Sequence, residues 1–324
     1  PSAPLTEKEV GKMFEVVRKL NQSGVTIIYI SHKLNEIFDL TNRISVLRDG
    51  HLIRTFRTDE VTEQELIREM VGREITDIYP EKDFRSSEVI LKVENLTGNR
   101  VHGVSFELKR GEVLGFGGLV GAGRTEAMRL LFGADRKTGG TVYINDKKVE
   151  INSPTDAIRN GIGLIPEDRK QQGLVLNKSI FFNCLLPSIG KYSKTGFIRF
   201  KKARSDIGRL YDVLKIKAVD QGQIVSHLSG GNQQKVVLEK WLLRECEIII
   251  LDEPTRGIDV GTKQEIYQLI KKLAAEGKAV IVISSEMPEL IGVSHRVIVM
   301  HEGKITGELK GDEITQETIL TLAS

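Results

Sequence analysis

The stretch G-L-V-G-A-G-R-T, Gly118 to Thr125, decides how this chain is read. It has the shape of a phosphate-binding loop, G-x-x-x-x-G-K-[ST], with Arg124 where that pattern carries lysine. Its flanks fit the pattern. A short apolar strand (Glu112 to Phe116) precedes it, and Thr125 to Phe132 is helical in composition. Gly118, Gly121 and Gly123 would let backbone N–H groups converge on phosphate oxygens, aided by the positive end of a helix dipole. The Thr125 hydroxyl would face a divalent cation. Arg124 keeps the charge, but a planar fork on a longer stem does not fill the compact ammonium position between two phosphates. Alone, the loop also reads as a tight turn without a ligand.

Two later stretches belong beside it. I-I-I-L-D-E-P-T, Ile248 to Thr255, is a continuous apolar run ending in two acids. Such a run is the mark of a strand buried on both faces. It would present Asp252 and Glu253 at its carboxyl end, where open α/β sheets bind ligands. Asp252 would hold a cation through water and Glu253 would orient or polarise an attacking water; a plain strand and turn is the alternative. L-S-G-G-N-Q-Q-K, Leu228 to Lys235, precedes an amphipathic run with Val236, Leu238, Trp241 and Leu242. A serine and two glycines at a helix start make an anion site or, more simply, an N-cap.

Further strands are predicted at Gly161–Ile165 and Ala279–Ile283. Ile266, Leu269, Ile270 and Leu273 have helical spacing between the last two strands. Strands alternating with helices imply a mainly parallel sheet. The 324 residues, 40% hydrophobic and 28% charged, suffice for two domains with sizeable cores. A net charge of +3 is too weak to argue for nucleic acid. Cys184 and Cys246 lie far apart outside any C-x-x-C pattern, which favours a reducing compartment, with Cys246 as a buried inert thiol. No stretch reaches 18 apolar residues, so any membrane role would run through a partner.

The chain also repeats itself. F-E-V-V-R-K-L-N-Q-S-G-V-T-I-I-Y-I-S-H corresponds to Y-Q-L-I-K-K-L-A-A-E-G-K-A-V-I-V-I-S-S at a constant offset of 253, which sets Gly24 on Gly277, Ser31 on Ser284 and Glu36 on Glu289. The same offset places Pro1 on Pro254. The expectation is therefore that residues 1–82 are the C-terminal piece of one domain and 83–324 a nearly whole second copy. The polar stretch Tyr79 to Glu88 would be the linker. The first piece would lack its sheet partners, leaving it mobile or packed against a neighbour.

Glycine loop, L-S-G-G-Q-type octapeptide, Asp-Glu strand and G-I-D-V-G stand in an order that resembles an ATP-binding cassette (ABC) ATPase. The N-Q-Q-K ending, I-P-E-D-R-K-x-x-G-L (Ile165 to Leu174), G-A-G-R-T-E, M-V-G-R-E-I (Met70 to Ile75) and the tandem arrangement resemble the ribose/galactose/xylose class of bacterial sugar importers. The resemblance covers essentially the whole chain. It implies an α/β P-loop NTPase fold with a mainly parallel core sheet, an antiparallel β subdomain and a helical subdomain. It implies ATP held by Gly118, Gly121, Ala122, Gly123, Arg124, Thr125 and Glu126, and Mg²⁺ held by Thr125, Asp252 and Glu167. Glu253 and His32 take the catalytic positions, His32 as the γ-phosphate switch of the first cassette; its repeat partner is Ser285. Ser229, Gly230 and Gly231 would complete the first cassette's site, and Asp259 would be the bridging aspartate, with Thr6 as its departure in the first copy.

The second cassette departs from the family at Arg124, at Glu167 in place of glutamine, at Ser285, and by having no aromatic residue between Glu94 and Val104 to stack adenine. Asp252 and Glu253 remain. The resemblance therefore implies a site that binds nucleotide and turns it over slowly. It also implies membrane permease subunits, a sugar-binding protein and a second cassette as partners, no nucleic acid, and a peripheral position on the cytoplasmic face of the plasma (inner) membrane. A non-hydrolysing, nucleotide-responsive dimerisation module is the alternative; action on DNA or ribosomes fits the low net charge poorly. Val175 to Leu186, with Phe181 and Phe182, is either the permease-facing segment or helical core. The basic stretch Lys191 to Arg204 reads most simply as a solvated face, with phospholipid attraction as the lesser alternative.

Overall fold

The structure, a computed structural model, describes residues 7–31, 34–48, 51–71 and 86–324. His32, Thr6, residues 72–75 of the Met70–Ile75 motif and most of the expected linker lie outside the described residues. The chain divides into two compact units: Pro1–Ile78 with Gly257–Gln264, and Tyr79–Arg256 with Glu265–Ser324.

In the second unit the core is a six-stranded sheet. Its order is Lys304–Lys310, Arg296–His301, Val113–Gly117, Ala279–Ile283, Ile248–Asp252, Ile162–Ile165. All neighbours are parallel except the first pair, which is a hairpin. The apolar runs account for this: every residue of Val113–Gly117, Ala279–Ile283 and Ile248–Asp252 is buried, as strands covered on both faces must be. A four-stranded antiparallel sheet, in the order Val101–Lys109, Val89–Gly98, Gly139–Ile144, Lys147–Val149, forms a second layer. Arg296 fastens its exit to the core sheet. The Arg296 guanidinium donates to both oxygens of buried Glu112, at 2.7 and 3.1 Å, and to the Glu107 carbonyl at 2.6 Å.

The helices Ile180–Leu185, Phe200–Val213 and Gly230–Arg244 pack together as a helical layer. Trp241 ties this layer to the glycine-loop side: its ring meets Phe132 edge-on at 6.0 Å and lies over Gly163, where a Cβ would come within 3.1 Å of the indole. A mainly parallel sheet, an antiparallel subdomain and a helical subdomain are thus the architecture observed. Both cysteines are free and buried; burial pushes the Cys246 thiol up to about 11. Among the described residues no helix is long and apolar enough to cross a membrane.

Part of the first unit recurs later in the chain. Its helices Glu7–Gln22 and Leu34–Leu40 and strands Arg43–Arg48 and His51–Arg57 recur at the offset of 253 as Val260–Ala275, Met287–Val293, Arg296–His301 and Lys304–Lys310. Leu34, Ile44, Val46, Val61 and Leu66 form its core. One element does not recur. Thr26 to Ile30 corresponds to the central strand Ala279–Ile283, yet among the described residues it joins no sheet, and Ile28 and Ile30 are 88% and 81% exposed.

Candidate functional site

Three adjacent parallel strands end at the same edge of the core sheet. Val113–Gly117 runs into the glycine loop, Ile248–Asp252 ends at Asp252 and Glu253, and Ala279–Ile283 ends at Ser284 and Ser285. The loop needs its glycines for different reasons. Gly118, at φ +142°, lies so close to the Met300 carbonyl that any side chain would collide with it. Gly121 (φ +87°) and Gly123 (φ +95°) occupy the left-handed region. Ala122 is buried; its N–H closes a turn on the Leu119 carbonyl, and its own carbonyl accepts from the Gly303 N–H at 2.9 Å.

The helix Arg124–Leu131 starts directly after Gly123 with no side-chain cap. Its first N–H groups have no intrahelical acceptor and remain available to an anion, at the positive end of the helix. Glu126 sits in that first turn. The Arg124 side chain is buried, and its Nη1 donates to the Ser284 carbonyl at 2.8 Å. Burial pulls its pKa down, against the attraction of Glu253, Asp252 and Glu126.

Thr125 Oγ1 donates to Asp252 Oδ1 at 3.2 Å. Burial pushes Asp252 up to about 7; the Thr125 hydrogen bond and Arg124 hold it down, while Glu253 and Glu126 push with burial. Glu253 is raised as well, first by burial, and held back by the hydroxyl of Ser285, which donates to its Oε2 at 3.1 Å, and by Arg124. Its backbone sits at φ +48°, an uncommon position for a residue with a side chain, and its N–H donates to the Ile283 carbonyl at 2.9 Å. Arg124, Thr125, Asp252, Glu253 and Ser285 therefore form one connected group.

Glu167 is placed differently. Its carboxylate is held in an ion pair by Arg256, whose carbonyl in turn accepts from Arg169 Nη1 at 2.7 Å. Ser229 caps the helix Gly230–Arg244: its Oγ accepts from the Asn232 amide side chain at 2.9 Å and is exposed, as are parts of Gly230. Gly231 is buried. No hydrogen bond or ion pair among the described residues joins this serine and its glycines to the glycine loop. Asp259, in the first unit, caps the helix Val260–Ala275 by accepting from the Thr262 N–H and hydroxyl at 2.9 and 2.7 Å.

Sequence reading missed Arg256 as the partner of Glu167 and Ser284 as the seat of Arg124. For Ser284 a signal existed. The repeat aligns Ser31 with Ser284 and Glu36 with Glu289, and in both units the serine hydroxyl donates to that glutamate, at 2.9 and 2.5 Å. Both glutamates are buried.

The ABC transporter family model matches residues 101–256. The ribose import ATP-binding protein of Lactococcus lactis subsp. cremoris is 49% identical over all 324 residues, which cover 66% of that relative. The protein of the same description from Clostridium tetani is 45% identical over 325 positions, with 64% of it covered. The chain thus spans just under two thirds of the curated relatives it matches. Among solved structures, an ATP-binding cassette of an ABC transporter in its ADP conformation superposes with a TM-score of 0.63 at 20% identity, over 73% of this chain and 98% of that one. A dimeric bacterial ABC transporter cassette does so with a TM-score of 0.60 at 26% identity, over 68% and 98%.

Proposed function

The chain belongs to the ABC transporter family of ATP-binding proteins, and from that premise we propose that it serves in the ATP-driven import of a monosaccharide of the ribose type, through a separate membrane permease. In this reading residues 1–82 are part of a first cassette and 83–324 a second one, docked on the cytoplasmic face of the membrane. A sugar-binding protein would deliver the substrate. The second cassette holds nucleotide and splits it slowly.

The observation that carries the reading is the connected group of Arg124, Thr125, Asp252, Glu253 and Ser285 beneath an uncapped helix start. The phosphates would lie on the loop amides. Thr125 Oγ1 and Asp252 Oδ1 are hard oxygen donors and fit Mg²⁺, which keeps several waters and shares phosphate oxygens; it would offset the triphosphate charge. Glu167 is engaged by Arg256 and stands outside that donor pair. Glu253 would accept the proton of the attacking water; burial raises its basicity, but the Ser285 hydroxyl on Oε2 occupies one of its two oxygens and works against that gain. Ser285 reaches less far than an imidazole would, and Arg124 is spent on the Ser284 carbonyl. These features favour slow turnover. Ser229, Gly230 and Gly231 would serve the opposite site, completed by the first cassette and His32.

The test separates affinity from turnover. The purified chain is titrated with a fluorescent ATP analogue with and without Mg²⁺, and phosphate release is followed in parallel. Binding is expected, with release near background. Arg124→Ala should weaken binding about ten- to a hundred-fold, because it leaves the Ser284 carbonyl unpaired and removes the buried positive charge that faces Asp252, Glu253 and Glu126 behind the loop. Absence of binding overturns the phosphate-loop reading; brisk hydrolysis that Arg124→Ala abolishes overturns the slow-site assignment.

A further inference from the structure

The stretch Lys191 to Arg204, K-Y-S-K-T-G-F-I-R-F-K-K-A-R, holds six basic residues and no acid. From sequence it reads most simply as a solvated face, with phospholipid attraction the lesser alternative, and the structure gives it a more specific shape. Ser193–Lys194 and Phe197–Ile198 pair as a minimal hairpin, closed by Thr195 and Gly196 at φ +50° and +84°. Two residues in this left-handed conformation form the turn type that matches strand twist. The hairpin carries Phe197 at its turn, 80% exposed, with Lys194 directly opposite in register. Phe200, 54% exposed, opens the next helix.

Cations and rings alternate across this surface. The Phe200 ring is 6.4 Å from that of Phe181, the Arg204 guanidinium lies 4.9 Å from the Phe181 centroid, and the Lys178 ammonium lies 5.8 Å from Phe182. Lys191 is paired with Glu245. Lys194, Lys201 and Lys202 are exposed and make no ion pair among the described residues. A merely solvated face accounts for the lysines, but not for a phenylalanine held out at the end of a turn. Lys202 has Asp206 one helical turn away, but the stretch itself carries no acid, and exposed aromatic rings beside such an excess of lysines are the combination that seats on an anionic bilayer: the rings enter the headgroup region and the cations meet phosphates.

The geometry points to this hairpin and the start of the following helix as a contact for anionic phospholipid. The inference rests on the import reading only for its setting at a membrane, since lipid contact needs neither nucleotide nor permease. The exposed rings and the excess of positive charge favour an anionic bilayer, whose headgroups match both at once.

The chain is sedimented with vesicles of phosphatidylcholine alone and of phosphatidylcholine mixed with phosphatidylglycerol. Binding is expected to the mixed vesicles only and to fall as salt rises. The triple variant Lys194→Glu, Lys201→Glu, Lys202→Glu should lose at least about ten-fold in partitioning, each lysine near a charged surface being worth a several-fold factor. Phe197→Ser should lose a further factor with the charge intact. All four positions are exposed, and an unchanged melting curve confirms folding. Equal partitioning of the variants and the parent overturns the proposal, as does binding only to vesicles that contain a reconstituted permease. Failure here would leave nucleotide binding untouched, so the two readings fail separately.

Discussion

Glu239 offers a perturbation whose size follows from its surroundings. It lies on the helix Gly230–Arg244 and is fully buried. Its Oε2 accepts from the Cys184 thiol at 3.3 Å, and its Oε1 has no partner among the described residues. Burial pushes the carboxyl from its ordinary 4.5 up to about 8, so the folded protein holds a proton that the unfolded chain releases. A group raised in the folded state stabilises fully below its unfolded value, and this stability drains away as pH climbs through its folded value. At about 1.4 kcal/mol per pH unit, the full drain between about 4.5 and about 8 is on the order of 5 kcal/mol. Neighbouring Lys240, which donates to the Gly173 carbonyl at 2.6 Å, is pulled down by burial to about 8. Its effect runs the other way, adding stability as pH rises from about 8 towards 10.5, so the two together place a minimum near pH 8. Glu239→Gln keeps the shape and removes the acid limb alone. Denaturant unfolding followed by the single tryptophan, Trp241, reads this same helix. The variant should be near parity with the parent at about pH 5 and more stable by several kcal/mol at about pH 9. A difference that stays flat within about 1 kcal/mol across that range would show that Glu239 is ionised in the fold, and would refute the reasoning.

Two shorter predictions concern the candidate site. Gly118→Ala sets a methyl against the Met300 carbonyl at a φ that side chains avoid; strain of about 1–3 kcal/mol should lower the melting temperature by several degrees and abolish binding of the ATP analogue, and an unchanged titration would contradict the loop geometry. Glu167 and Arg256 are half exposed, so a double-mutant cycle on stability should give a coupling of only about 0.2–1 kcal/mol. Arg256→Ala should at the same time strengthen the Mg²⁺ dependence of nucleotide binding, and this gain should vanish in the Glu167→Gln background; its persistence there would show that freeing Glu167 is not the cause.

Much of the core was legible because burial on both faces writes itself as continuous apolar runs. Ile248–Asp252 and Ala279–Ile283 are readable in this way to within a residue, and the helix between them by its spacing but not by its bounds. The candidate site was legible in its residue types and only partly in its connections. Periodicity and motifs place Asp252, Glu253 and Thr125 at the correct ends of strands and helix, but they say nothing of how long side chains are used. Arg124 turns onto a carbonyl at the end of a neighbouring strand, and Glu167 turns onto Arg256. Both outcomes depend on three-dimensional neighbours some 90 to 160 positions away along the chain.

Thr26–Ile30 carries this argument furthest. Its sequence, T-I-I-Y-I, is at least as strand-prone as A-V-I-V-I at Ala279–Ile283, yet one is a buried central strand and the other joins no sheet among the described residues. A parallel strand makes none of its ladder bonds locally; each must come from strands on either side. Ala279–Ile283 has Val113–Gly117 and Ile248–Asp252 as its neighbours, whereas the first unit shows only the hairpin Arg43–Arg48 and His51–Arg57 among its described strands. Local preference does not favour the second copy, so its strand is set by pairing and not by local preference. Asp252, Glu253 and Ser285 likewise stand together because the strands that carry them are adjacent in the sheet. In a segment whose strand has no such neighbours, Ser31 still reaches Glu36 as Ser284 reaches Glu289, since that bond spans only five residues. Local chemistry survives in both copies, whereas the meeting of Asp252, Glu253 and Ser285 is a product of the assembled sheet.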